Sequence, residues 1–345
     1  MKLLKSLGAL WLMTMLLSGC GREPLYQSQS YVFGTLVDIS IYGESADRAH
    51  ALAGHVEQEF QRLHDSLHAW KAGSDLDRLN SAFAAGRQAR VTPELAAMLA
   101  DAARFSAQSG GLFNPAIGHL IGLWGFQRDE FMPVHPEPDA IRKWVEAVPM
   151  MSDIKLDQGR AGSSNPAVKL DLGGYAKGYA LDLAAAYLRK QGVKGALVNI
   201  GGNIIAIGRH GDRPWRVGIQ HPRGPGPIAT LDLPDGWAIG TSGDYQRFFE
   251  ADGKRYCHII DPRSGYPVQG VQAVTVLVPP APDAGTLSDV ASKPLFIRGV
   301  SGWREAAAMM RIDNAMLIDA GGTMHLTPAM HQRIRLEEKG VKIEE

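Results

Sequence analysis

The 345-residue chain reads as an α+β protein built as a single domain. Three observations lead there. Apolar residues recur at helical spacing through much of residues 46–109. Runs that alternate apolar and polar residues dominate the second half. No clean linker, internal repeat or low-complexity tract divides the two halves. Helices followed by antiparallel-looking strands argue against a repeating βαβ array. The composition, 45% hydrophobic and 21% charged, is that of a folded globular chain. Lys plus Arg equals Asp plus Glu at 36 each, so the charge balance carries no nucleic-acid footprint.

The elements follow in order. SYVFGTLVDISIYG alternates and predicts a strand. Residues 46–68 predict a long helix. SDLDRLNSA predicts another, with Ser74 as N-cap and Asp75 and Asp77 in the first turn. Residues 93–109 predict a third, starting at Pro93 and stopping at Gly110-Gly111. Residues 128–138 are charged and proline-rich, hence a loop, and 138–147 a short helix. KLDLGG predicts a strand, and the stretch from Tyr175 to Gly192 a helix. Strands are expected in ALVNIGGNIIAIG, WRVGIQHP, IATLDL, WAIGTSG, FFEADGKRYCHII and AVTVLV. SDVASKPLFIRG is expected to lead into a helix near 301–311, and AMLIDA with TMHLT to close the domain as a hairpin.

The first twenty residues stand apart. MKLLKSLGALWLMTMLLSGC has two lysines, an apolar run and a small-residue ending, the pattern of a secretory leader. The apolar run is short for a membrane span. Its end, Leu17-Ser18-Gly19-Cys20, resembles a bacterial lipobox, in which the cysteine becomes the lipidated first residue. Residues 1–19 are then a leader, 20–30 a lipidated polar tether, and 31–345 the domain. The expected location is the periplasmic side of a bacterial membrane, with a lipid on Cys20 holding the chain there. Cys257 is left alone in the mature chain, so no internal disulfide is expected. A lone thiol in an apolar run is usually buried and inert.

Several stretches carry residues that chemistry uses. In LDLGGYAKGYALD the double glycine before a helix lets backbone amides approach an anion, with Lys177 beside them. The same residues also fit a tight turn with a surface lysine. The glycine pair in VNIGGNI marks a bulge or a close approach of something to the backbone. SGGLFNPAIGHLIGLWGF offers aromatic walls for a flat ring, or simply core aromatics. The densest cluster is TSGDYQRFFEADGKRYCHIIDPRSG. Its Asp-Gly pair predicts a hairpin that returns His258 and Asp261 beside residues 242–247. Alternation puts His258 and Ile260 on one face, Cys257 and Ile259 on the other. A histidine moves protons near neutral pH; the same residue also suits a satisfied core position. Asp289, in SDVASKPLF, suits a cation ligand or a helix N-cap.

Taken together, FGT at 33–35, SDLDRLN at 74–80, GGLFNPAIGHLIGLWGF at 110–126, KLDLGGYAKGYALD at 169–182, VNIGGNI at 198–204, TSGDYQRFF at 241–249, HIIDPRSGYPV at 258–268 and SDVASKPLF at 288–296 resemble, in this order, the ApbE family of flavin transferases. The resemblance implies a single-domain, ApbE-like (T-fold-like) architecture with a mostly antiparallel sheet and packed helices. It implies transfer of FMN from FAD, with Mg2+, onto a serine or threonine hydroxyl of an exported or membrane-bound electron-transfer protein. AMP is released. Hydrolysis of FAD to FMN and AMP, or FAD binding without transfer, are the other activities compatible with it. By resemblance Phe33, Trp70, Leu112, Phe113, Asn114, Lys177 and Ile260 lie at flavin or adenine positions. His258 and Asp261 belong to the catalytic motif, and Gly174 and Asp289 to the metal site. This chain departs from the family where a metal-holding threonine is usual, since Lys293 stands there. Phe33, Trp70 and Asn114 stand where methionine, tyrosine and aspartate are common.

Overall fold

The computed structural model describes residues 24–128 and 130–344, so the leader and Cys20 lie outside the described residues. β1 (Leu25–Val32) and β2 (Thr35–Tyr42) pair along their full length. The turn between them, Phe33-Gly34, has positive φ at both positions, 57° and 71°. That is the primed geometry whose twist suits a two-residue hairpin. Residues 25–30 are therefore strand, which corrects their reading as tether. Gln27 and Gln29 donate to Ser40 and Asp38 at 3.3 and 2.7 Å, while Tyr26 packs toward the helices. An edge strand with one solvated face presents no apolar run to read in a sequence.

α1 (Ala46–Leu67) follows, then α2 (Asp75–Ala84) with Ser74 accepting the Asp77 amide at 2.9 Å. β3 (Ala89–Arg90) leads to α3 (Pro93–Gln108), capped by Thr92 and ended by Gly110 and Gly111 with φ of 62° and 81°. α4 (Gly118–Leu123) and α5 (Pro138–Glu146) precede β4 (Ile154–Asp157), β5 (Arg160–Ser163) and α6 (Ala176–Lys190). The strand expected in KLDLGG is an extended segment with a single bridge, Lys169 to Ile117. On one side it bonds the backbone of residues 115–118, with the Lys169 and Asp171 amides donating to the Ala116 and Pro115 carbonyls; on the other a side chain takes the place of a strand. Asn80 donates to the Leu170 carbonyl at 2.9 Å and accepts the Leu170 amide at 2.7 Å.

β6 (Gly195–Ile200) and β7 (Asn203–Gly208) form a hairpin turned by Gly201 and Gly202. The VNIGGNI glycines thus make a two-residue turn, not a bulge. Then come β8 (Trp215–Gln220), β9 (Pro227–Leu233), β10 (Ala238–Gly243), β11 (Phe248–Ala251), β12 (Lys254–Cys257) and β13 (Val271–Val278). α7 (Ala284–Met310), β14 (Asn314–Asp319), β15 (Met324–Leu326), α8 (Pro328–His331), β16 (Ile334–Leu336) and β17 (Ile343–Glu344) complete the described chain. SDVASKPLF lies inside α7, which bends at Gly299, so Asp289 is not an N-cap. The helical pattern is hidden there because α7 is buried on most sides and shows no polar stripe.

One sheet of nine strands, ordered β1-β2-β6-β7-β10-β13-β14-β15-β17, is antiparallel except at β15–β17. α1, α6 and α7 pack on one face, and Val37, Ile39, Ile41, Val198, Val274 and Leu295 are among the core between them. The smaller sheet β16-β9-β8 covers part of the other face around Trp215, Leu231, Met316 and Leu326. A satellite core of Trp124, Phe126, Ile141, Phe249 and Ile260 joins α4 and α5 to the β11–β12 hairpin.

Candidate active site

The site is assembled where α6 meets α7. Two glycines let the helices approach to backbone contact. A Cβ at Gly178 would lie 2.5 Å from the Gly285 carbonyl oxygen, and one at Gly285 would lie 2.7 Å from that of Gly178. Closeness has a consequence for capping. α6 has no side-chain N-cap of its own; instead Asp289 reaches across from α7 and accepts the Gly178 amide at 3.0 Å. β10 supports α7 from below in the same way, since a Cβ at Gly240 would strike the Ser288 carbonyl at 2.2 Å. Ser242 and Ser292 are hydrogen-bonded at 2.7 Å across that contact.

Two lysines stand at Asp289, with Arg247 near one of them. Lys177, in the first turn of α6, feels the charges of Asp289, Lys293 and Arg247. Desolvation is the main influence on it and lowers its ammonium from the ordinary 10.5. Lys177 is half-buried by surface yet closely surrounded by protein atoms. Lys293 donates to the Asp289 carbonyl at 2.6 Å and forms an ion pair with its carboxylate. Arg247 donates to the Phe126 carbonyl.

His258 is placed by the β11–β12 hairpin, whose Asp252-Gly253 turn has positive φ at both positions. The His258 amide donates to the Arg247 carbonyl at 3.0 Å, and Nδ1 lies 3.3 Å from the same oxygen. As expected, the hairpin returns His258 beside Arg247 and sends Cys257 and Ile259 to the main core, Ile260 to the satellite core. Burial first, then the charges of Arg247, Lys177 and Lys293, holds the imidazole well below its usual 6.5. His258 is therefore a neutral imidazole at physiological pH, with an open proton-accepting capacity. Burial pushes the Cys257 thiol up to about 12, which makes it inert.

The remaining expected residues divide. Gly174 belongs to the cluster: a Cβ there would lie 3.2 Å from Lys293 Cε and 3.7 Å from Phe113. The Gly173-Gly174 turn is held from the other side, where Asp171 accepts the Gly173 amide at 2.8 Å and Trp70 Nε1 at 3.0 Å. Trp70 carries the Lys169 ammonium over its ring at 3.7 Å. Phe33, at positive φ, packs on Phe60 and His64 at about 6 Å between ring centres. Leu112 and Phe113 are core residues at the exit of α3. Asn114 is buried and donates to the Pro149 carbonyl at 2.8 Å while accepting the Ala116 amide at 3.1 Å. Asp261 is not joined to His258 by a hydrogen bond. Its carboxylate pairs with Arg263 at 2.7 Å and its carbonyl accepts the Gly265 amide, so it builds the turn after His258. Arg247, Lys293 and Asp171 enter the site without having been singled out as ligands. Arg247 lies in TSGDYQRFF, and only the hairpin register shows that its backbone holds His258.

Asp289 is 1% exposed and both its carboxylate oxygens are engaged, one by the Gly178 amide and one by the Lys293 ammonium. Among the described residues no group of three or more His, Cys, Asp or Glu side chains could hold a metal ion. As arranged, Gly174 and Asp289 do not fit the Mg2+ that the resemblance implied.

Comparison with known proteins identifies the family. The sequence model of the ApbE family matches residues 33–318. A protein of Rhodobacter capsulatus named FAD:protein FMN transferase is 40% identical over 90% of this chain, which spans 58% of that relative's length. One of the same name from Treponema pallidum is 34% identical, with 85% of this chain and 83% of the relative covered. The ApbE protein of Thermotoga maritima superposes with a TM-score of 0.81 at 28% identity, covering 90% of this chain and all of the other. The flavinyl transferase ApbE of Pseudomonas stutzeri, in its apo form, gives 0.79 at 28% identity over 91% of this chain and 98% of the other. Eight motifs in order, this fold and the span of the family match place the chain in the ApbE family.

Proposed function

We propose that this chain is an FAD:protein FMN transferase. The observation that carries the reading is the convergence of Lys177, Lys293 and Arg247 on His258, with Asp289 beside the two lysines. Fixed cations in a partly desolvated cleft suit an anionic group, and a neutral histidine beside them suits a hydroxyl that must lose its proton. FAD supplies the pyrophosphate. A serine or threonine oxygen of the acceptor attacks the phosphorus on the FMN side. The bond from that phosphorus to the oxygen bridging the AMP phosphate breaks, AMP leaves with the bonding pair, and the hydroxyl proton passes to His258. The product is a phosphoester between FMN and the acceptor.

Binding and catalysis are coupled through His258. With the site empty of anion, burial first and then three cations disfavour its protonation. The FAD pyrophosphate offsets the cationic part of that shift, so the imidazole becomes a stronger base when substrate is present. The leader ending at Cys20 supports a lipid anchor on the periplasmic side of a bacterial membrane. The acceptor is then an exported or membrane-bound electron-transfer protein within reach of that surface.

The test is to incubate the protein with FAD and an exported flavoprotein acceptor domain, then read flavin fluorescence on the acceptor in a denaturing gel. Fluorescent acceptor is expected, lost when its target hydroxyl is removed. His258→Asn is expected to slow transfer by roughly 10²–10⁴-fold while FAD still binds. FAD recovered intact beside a competent acceptor would replace this reading with an FAD-binding accessory role. FMN and AMP formed without acceptor would make the protein a hydrolase.

A further inference from the structure

We propose that the Lys293 ammonium takes the place of a divalent cation in this chain, so that FAD binds without added magnesium. The inference rests on the transferase reading for its ligand, and on the geometry of α7 for its substance. Lys293 lies one turn after Asp289 on the same helix. Its ammonium donates to the Asp289 carbonyl at 2.6 Å and pairs with the carboxylate, whose second oxygen holds the Gly178 amide at 3.0 Å. The Asp289 oxygens that could face a cation therefore already face one, and it is covalently tethered. A metal ion entering there would meet the repulsion of an adjacent ammonium and would have to strip donors from oxygens it needs as ligands.

The lysine is built into the fold and does not simply lie over it. Its side chain is 16% exposed. Gly174 leaves the room it occupies, since a Cβ there would approach Lys293 Cε to 3.2 Å and Cδ to 3.8 Å. The charge count agrees. Asp289 offsets one of the three cations Lys177, Lys293 and Arg247, and the two that remain match a pyrophosphate with one negative charge on each phosphate. A divalent ion added to the same cleft would leave an excess of positive charge. An ammonium carries three donors, of which Asp289 takes two, so one remains for a phosphate oxygen. Lys293 gives up no proton in the transfer; it holds charge while the phosphorus changes partners.

The experiment uses the full protein freed of metal by a chelator. FAD binding is followed by flavin fluorescence in chelator and in millimolar Mg2+, beside wild type, Lys293→Thr and Lys293→Met. Wild-type affinity is expected to change by less than about twofold between the two conditions. Lys293→Thr, which replaces the cation by an oxygen ligand, is expected to lose at least about tenfold in chelator and to recover in Mg2+. Lys293→Met, with neither charge nor hard ligand, is expected to lose affinity in both. Thermal melts of the variants separate lost binding from lost fold, and the wild-type comparison decides the matter even where a variant does not fold. Wild-type FAD binding that collapses in chelator and returns with Mg2+ would overturn the proposal. Metal-free binding followed by recovery of intact FAD beside a competent acceptor would leave it standing and sink the transferase reading instead.

Discussion

At the scale of single residues, this site depends on charge held out of water. His258 and His119 are both kept neutral by burial and by cationic neighbours, Lys169 and Lys143 in the case of His119, which also stacks on Trp144 at 3.8 Å. His119 is pushed down to about 4 from 6.5. In the unfolded chain it takes up a proton as the pH falls through 6.5, and in the folded chain only near 4. Its contribution to stability is therefore full above 6.5 and is lost as the pH falls from there toward 4. His119→Gln, which cannot take up that proton, is expected to flatten the fall in melting temperature between pH 7 and pH 4.5. Parallel melts of the two proteins in acetate and phosphate buffers measure this; an unchanged slope would show that other groups govern the acid limb. Among the residues expected in the site, Lys177, Gly174 and His258 were legible from local pattern because glycines, a helix start and a hairpin turn mark them, whereas Asp289, read as a cation ligand or N-cap, lies inside α7. Lys293 was legible only as a departure. That its ammonium pairs with Asp289 follows from i,i+4 spacing on one helix, and the sequence pattern of a buried helix did not reveal that helix.

At the scale of elements, the α6–α7 crossing decides the geometry. Gly178 and Gly285 bring the two backbones together, and this contact puts Lys177 beside Asp289. Asp182 binds the crossing from its other end, where it accepts the Gly285 and Thr286 amides at 2.7 and 2.8 Å and the Thr286 hydroxyl at 2.6 Å. Gly178→Ala inserts a methyl against backbone that cannot move aside, so it is expected to lower stability by about 1–3 kcal/mol. Urea unfolding measures that loss, and FAD titration of the folded fraction is expected to show weaker binding as the helices part. A variant as stable and as tight-binding as wild type would mean that the crossing is looser than this. The opposite arrangement holds at Gly173 and Gly174. Neither has positive φ, and what they contribute is room for Asp171, Phe113 and Lys293.

At the scale of the whole molecule, three layers stack: helices, the nine-stranded sheet and the smaller sheet, with the site residues on the helical side and the β11–β12 hairpin. A groove of about 620 Å³ lined by Gln29, Asp38, Asn199 and Arg216 lies on the face of the large sheet turned away from those helices and holds none of the site residues. Among the described residues no helix is long and apolar enough to cross a membrane. β1 belongs to the domain, not to a tether, because every residue of β1 pairs with β2 and Phe33 is presented by the turn that joins them. Removal of residues through Val32 is expected to lower the melting temperature by roughly 5 °C or more. Circular dichroism melts of the shortened and full domains check this, and equal melting temperatures would return β1 to the status of a tether.

Local chemistry was enough to place most of this architecture on the chain. The caps at Ser74 and Thr92, the stop at Gly110-Gly111, the Asp-Gly hairpin and the alternating strands each depend on residues a few positions apart, so they can be read in order. Three features depended on residues outside their own segment. β1 is a strand because β2 covers it. Residues 169–172 form no regular strand: Asn80, about ninety residues earlier, takes both backbone groups of Leu170, while the Lys169 and Asp171 amides donate to the Ala116 and Pro115 carbonyls. α7 runs through Pro294 and a set of polar residues because core surrounds it, and burial rather than periodicity sustains it. The pairing of Lys293 with Asp289 is set within α7, but its meeting with Lys177, Arg247 and His258 is of this second kind: it exists only once α6, α7 and the hairpin have closed on one another.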